Sequence, residues 1–127
     1  MQKQSSYTRL LFGTAAAFNF MVASGLLFLR DAMGALLAME PVTGSNILLA
    51  NLAGALVGVF GYAYARVAQQ PVRYRAYAEL GTIGKLLVLP AAAIPWMQGV
   101  VGWQLPLLAC GDLVYALLFW DWLRRTR

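Results

Sequence analysis

Four long apolar stretches, separated by short polar or turn-rich segments, run through the chain. Residues 10–29 and 47–65 carry no charge, residues 77–97 carry Glu79 and Lys85, and residues 105–123 carry Asp112 and Asp121. About 20 predominantly apolar residues let a helix cross the ~30 Å hydrocarbon layer, so each stretch is long enough to span. The alternation of apolar and polar positions that marks a membrane β-barrel is missing. Within lipid the backbone must satisfy its own hydrogen bonds, which leaves helices. The pattern therefore predicts an all-α integral membrane four-helix bundle, one domain over residues 1–127, with spans near 10–29, 47–65, 77–97 and 105–123.

The connections are unequal. The segment around Gln98-Gly99-Val100-Val101-Gly102 is short and forces its two helices into an antiparallel hairpin. The segment from Arg30 to Asn46 is longer, and its apolar run at 32–39 would be ill placed in free water. A short interfacial helix is expected there, closed by Glu40-Pro41 and Gly44-Ser45. It would pack over the bundle mouth or act as a lid over a ligand cavity.

Charge sets the orientation. Nine of the ten basic residues (Lys3, Arg9, Arg66, Arg73, Arg75, Lys85, Arg124, Arg125 and Arg127) map to one face, and Arg30 alone to the other. The positive-inside rule makes the first face cytoplasmic and predicts an up-down topology with both termini inside. The net charge of +5 reflects this retention and suits contact with anionic lipid rather than nucleic acid, since the basic groups hug the membrane. Lys3, Arg9 and Val22-Ala23-Ser24 resemble parts of a secretory leader. The apolar run exceeds the ~7–15 residues of a leader core, however, so it reads as a retained span. Tyr7, Tyr62, Tyr64, Tyr74, Tyr77, Trp120 and Trp122 fall at the inner boundary and Trp96 and Trp103 at the outer one, where rings serve as headgroup anchors.

Composition narrows the chemistry. The chain is 61% hydrophobic and 12% charged, without histidine and with a single cysteine; a soluble domain runs near ~45–50% apolar and ~25% charged. A disulfide framework, a His- or Cys-built metal site, His-ligated haem and imidazole catalysis are thereby excluded. No nucleophile elbow, phosphate-binding glycine loop or metal-ligand cluster appears, so the chain alone carries no recognisable enzyme chemistry and no evident cofactor site. Cys110, without a partner, reads as a small buried hydrophobe.

Helix packing in lipid relies on small residues and polar contacts. Gly54, Gly58 and Gly61 form a stripe on the second span, and Gly81 and Gly84 lie on the third. These, with Ala109 and Ala116 on the fourth span, are expected to face one another within the chain, with self-association through Gly54-x-x-x-Gly58 the competing expectation. A faint likeness between Gly54-Ala55-Leu56-Val57 and Gly111-Asp112-Leu113-Val114 is short enough to arise by chance. Pro90 should free the carbonyl of Leu86 and kink the third span.

The polar groups at depth carry what functional signal there is. At ~1.5 Å per residue, Asn19, Lys85 and Asp112 lie ~15, ~12 and ~16 Å in from the same side, on three different helices. A lone charge at a helix centre costs about 2.5–3.5 kcal/mol on insertion scales. Lys85 could snorkel, but Asp112 is too short to do so. The expected arrangement is a Lys85–Asp112 ion pair facing the interior, with Asn19 and Tyr115 supplying hydrogen bonds and Thr82 on the Lys85 face. Such residues are functional candidates by default, although a structural pin between helices would show the same sequence. Glu79 with Arg75 or Arg66, and Asp121 with Arg124 or Arg125, read as surface ion pairs.

Arg9 with Gly13 at the opening of the first span, and Gly81-x-x-Gly84-Lys85 in the third, resemble DoxX-like small bacterial membrane proteins. That resemblance covers the whole chain in architecture and a few letters in detail. It implies a bacterial inner-membrane location and a role as an accessory subunit, or one serving redox or lipid-soluble partners. The leading expectation is a non-catalytic membrane protein that packs into a homo-oligomer or larger complex, or holds a lipid or quinone-like molecule between its helices. The alternative is an oligomeric transporter or channel moving a proton, ion or small solute past Lys85 and Asp112.

Overall fold

The computed structural model describes residues 2–127, with side chains from Ser6 onward; the side chain of Lys3 lies outside the described part. Five helices follow in order: α1 (Gln2–Phe28), α2 (Arg30–Leu36), α3 (Asn46–Gln69), α4 (Arg75–Met97) and α5 (Gln104–Arg125). All but the seven-residue α2 are long and apolar enough to cross a membrane. The described chain is thus all-α with four candidate spans.

All four long helices outrun the apolar stretches at the Arg-rich end. α1 starts well before residue 10, α3 continues past Ala65 to Gln69, α4 begins at Arg75, and α5 runs on to Arg125. Hydropathy marks where a segment suits lipid, whereas a helix ends where its backbone ladder meets a turn. α4 continues through both Pro90 and Pro95. It ends at Met97, and the φ of 75° at Gly99 lets the Val100 amide reach the Pro95 carbonyl and the Gly99 amide the Trp96 carbonyl, at 2.9 and 3.0 Å. This is the glycine-closed C-cap that a hairpin between two long helices requires.

The long helices associate in two pairs, α1 on α3 and α4 on α5, with fewer contacts between the pairs. Glycine explains the first pairing. A Cβ on Gly54 would run into Leu27, one on Gly61 into Phe20, and Gly58 lies against Ala23. The α3 stripe is therefore occupied by bulky α1 side chains. Gly81 and Gly84 on α4 receive Tyr64 and Phe60 of α3 instead, which links the pairs. Apart from Gly58, which meets Ala23, these glycines meet large neighbours in the same chain rather than one another.

The core lies at one end. Leu11, Phe12, Ala15 and Ala16 of α1, Tyr64 and Val67 of α3, Ala78 of α4, and Phe119 and Trp122 of α5 form one buried cluster. Phe12 stacks on Phe119 at 4.6 Å and meets Trp122 edge-on at 4.9 Å, and Tyr64 meets Phe119 edge-on at 5.1 Å. Trp122 also donates its indole N–H to the Thr8 hydroxyl at 2.9 Å. Tyr64 and Trp122, expected as boundary anchors, are core residues. They point inward because each has a partner for its bulk: the cleared face of Gly81 for Tyr64, and Phe12 and Thr8 for Trp122. Arg75 closes this end by donating to the carbonyls of Leu123 and Thr126.

Toward the other end α2 buries none of its residues. It leans on α1 where Met33 covers Gly25, and the chain after it reaches the α4–α5 turn where Ala38 approaches Gly102.

Candidate functional site

Above the aromatic core sits a polar network that touches all four long helices. Lys85 of α4 donates from Nζ to Asp112 Oδ1 of α5 at 2.6 Å and to Asn19 Oδ1 of α1 at 3.2 Å. Asn19 in turn donates from Nδ2 to the Val57 carbonyl of α3 at 3.1 Å. The side chains of Lys85 and Asp112 are 4% and 13% exposed. Three residues expected at one depth from helical rise alone are thus brought together, and Lys85 turns inward rather than snorkelling. Pairing removes much of the cost of a single charge at that depth and leaves the network with no net charge.

Aromatic faces complete the surroundings of the ammonium. Nζ lies 5.3 Å from the ring centres of Tyr64 and Tyr115 and 5.4 Å from that of Phe18. A cation over a ring face is worth about 0.5–2 kcal/mol, more when water is excluded. Tyr115, expected as a hydrogen-bond donor, contributes its ring instead. It packs on Phe18 and Phe119, which holds its face toward Lys85. Thr82 is buried one turn away on the same helix but spends its hydroxyl on the Ala78 carbonyl at 2.7 Å. It shapes the helix and makes no hydrogen bond to the network.

Missing from the sequence expectation were Phe18, Tyr64 and the Val57 carbonyl. A signal existed for two of them. Phe18 adjoins Asn19, and Tyr64 lies two turns beyond Val57 on α3, so both could be placed near the same level. The backbone acceptor carries no signature in the letters.

The network forms one wall of a cavity of about 280 Å³ between the two helix pairs. The rest of the lining is almost wholly apolar: Phe18 and Val22 from α1, Leu56, Val57 and Phe60 from α3, Gly84 and Val88 from α4, and Leu108 from α5. A mostly apolar hollow with a few convergent polar atoms is the usual form of a small-molecule site, and this volume falls just below the ~300–1,000 Å³ range of such sites. Among the described residues no cluster of cysteine and carboxylate side chains could hold a metal ion.

The remaining charged groups lie elsewhere. Arg75 and Glu79 stand 4.0 Å apart and Arg125 and Asp121 2.9 Å apart, each an i,i+4 pair on one helix. From the last turn of α3, Arg66 donates to the hydroxyl of Tyr74 in the connection before α4 at 2.6 Å; this bond holds the Tyr74 phenol below the usual tyrosine range. Cys110, expected to be buried, is exposed, because it occupies the face of α5 turned away from the inward-facing Ala109 and Ala116. Comparison of the chain with protein-family models, curated proteins and solved structures finds no match.

Proposed function

We propose that the chain is a non-catalytic integral membrane protein that holds a lipid or quinone-like molecule between its helices. The spans cross in up-down order, and the Arg-rich end, with both termini, faces the cytoplasm of a bacterial inner membrane. Eight of the ten basic residues, all but Arg30 and the network's Lys85, fall toward that side in the sequence and support this orientation. The α2 segment and the chain after it then lie at the outer interface, running from α1 toward the α4–α5 turn. The DoxX-like resemblance of Arg9, Gly13 and Gly81-x-x-Gly84-Lys85 agrees with an accessory role of this kind.

The observation that carries the reading is the apolar cavity walled by Lys85, Asp112 and Asn19. Holding is favoured over passage. On the cytoplasmic side of the network, Phe12, Tyr64, Phe119 and Trp122 are packed ring on ring and buried. A solute moving past Lys85 and Asp112 would have to part these rings, so the transport alternative requires a second conformation or an oligomer. The α3 glycine stripe is already covered by α1, which directs any homo-oligomer or larger complex to other faces.

Purification from native membrane in mild detergent, followed by native mass spectrometry, tests the reading. A retained small apolar molecule is expected with the natural chain. It should be lost in Gly84→Leu, whose new side chain would grow from a point 3.6 Å from Phe60 into the cavity. A natural chain that carries no small molecule, or a Gly84→Leu chain that keeps one, would sink the proposal.

A further inference from the structure

The hydrogen-bonding state of the Lys85–Asp112 pair selects what kind of head group the cavity can take. An ammonium has three donors and no acceptor, whereas a carboxylate has two acceptor oxygens with several lone pairs. Lys85 is committed: one N–H goes to Asp112 Oδ1, another to Asn19 Oδ1, and three ring faces surround the remainder. Asp112 is only partly committed. Its Oδ1 accepts from Lys85, while Oδ2 accepts no hydrogen bond from the described residues, and Asp112 belongs to the cavity wall. Asn19 has its Oδ1 on Lys85 and one of its two Nδ2 hydrogens on the Val57 carbonyl. Asp112 Oδ2 is therefore the carboxylate oxygen of the network left without a donor among the described residues, and the positive charge is already balanced.

We propose that the cavity takes an uncharged, single-chain apolar molecule bearing a hydroxyl group, which donates its proton to Asp112 Oδ2. This rests on the reading of the cavity as a binding site and narrows it to a chemical class. Anionic head groups are refused, since they would meet a carboxylate oxygen and a cation that is already paired. Groups that only accept, such as a bare ketone or an ether, leave Asp112 Oδ2 without a donor. The small volume, with walls from all four long helices, admits one chain rather than a two-chain lipid.

The full chain in phosphatidylcholine nanodiscs is labelled with a diazirine-bearing dodecanol and digested, and the labelled peptides are mapped by mass spectrometry. Unlabelled dodecanol, dodecyl methyl ether and dodecanoate compete. Labels are expected on peptides carrying Phe18, Val57, Phe60 or Leu108. Dodecanol should compete at least about ten-fold better than the ether or the carboxylate, the size expected of one buried hydrogen bond left unmade. Equal competition by the ether, or stronger competition by dodecanoate, overturns the hydroxyl assignment while leaving the cavity a binding site. Absence of label from those peptides overturns both. Asp112→Asn supplies a second arm, because it keeps an acceptor oxygen but leaves Lys85 unbalanced. In that variant preference should swing toward dodecanoate, and a folded variant with unchanged preference overturns the charge-balance argument. If the variant does not fold, the competitor series on the natural chain decides alone.

Discussion

Lys85 and Asp112 have two faces, one structural and one turned to the cavity, and the two can be separated by energy. Removing one partner of a buried ion pair strands the other charge and costs about 3–5 kcal/mol, whereas replacing both by apolar residues is often near neutral. Asp112→Leu should therefore lower unfolding free energy in mixed micelles by about 3–5 kcal/mol. Adding Lys85→Met to it should restore most of that loss. The doubly substituted chain should nonetheless carry no retained apolar molecule, and if it does, the pair is a pin and nothing more. The depth of these residues was legible in the sequence because helical rise is fixed, so counting from a boundary places each one. The contribution of Tyr115 was not, because hydroxyl or ring face depends on rotamer and on Phe18 and Phe119, which come from elsewhere. Cys110 was misjudged for a related reason: mid-span depth does not say which side of the helix a residue occupies.

At the scale of the helix, glycine positions differ according to what they face. A Cβ on Gly81 would run into the Tyr64 ring, and Tyr64 is fully buried in the core, so neither can yield easily. Gly81→Ala should destabilise by about 1–3 kcal/mol, as overpacking does. Gly13 has nothing within 4 Å of its Cβ position. Gly13→Ala should be neutral or stabilising by up to about 1 kcal/mol, since alanine is the better helix former. Paired thermal unfolding of the two variants in one detergent checks this, and equal shifts would remove the packing explanation. Gly99 is a third kind, held at positive φ by the turn after α4. Gly99→Ala should cost about 1–2 kcal/mol through backbone strain alone. The helices themselves were readable from apolar length. Their ends were not, because all four continue at the Arg-rich end into segments where polar residues and turns, not hydropathy, set the limit.

For the whole molecule the decisive fact is how the four long helices divide. Lipid offers no hydrophobic drive toward one partner over another, so pairing follows whichever surfaces let backbones approach and side chains interlock. The glycines were visible in the letters. That α3 would spend its stripe on α1 while α4 turned to Tyr64 and Phe60 was not, because each choice depends on the shape of the facing surface. The result is two helix pairs joined mainly at one end by Phe12, Tyr64, Phe119 and Trp122, with the cavity between them beyond the joint. Such a molecule should survive cutting at the connection between α3 and α4. Residues 1–70 and 71–127, co-expressed as separate chains with a tag on the first, are expected to insert and to co-purify. Phe119→Ala in the second fragment removes the ring that Phe12, Tyr64 and Tyr115 all contact, a loss of about 3–5 kcal/mol for a buried phenylalanine. The fragments should then part while each remains in the membrane. Co-purification that withstands Phe119→Ala would mean that the polar network, not the aromatic joint, binds the pairs, and the cavity would then sit at the centre of the joint rather than beyond it.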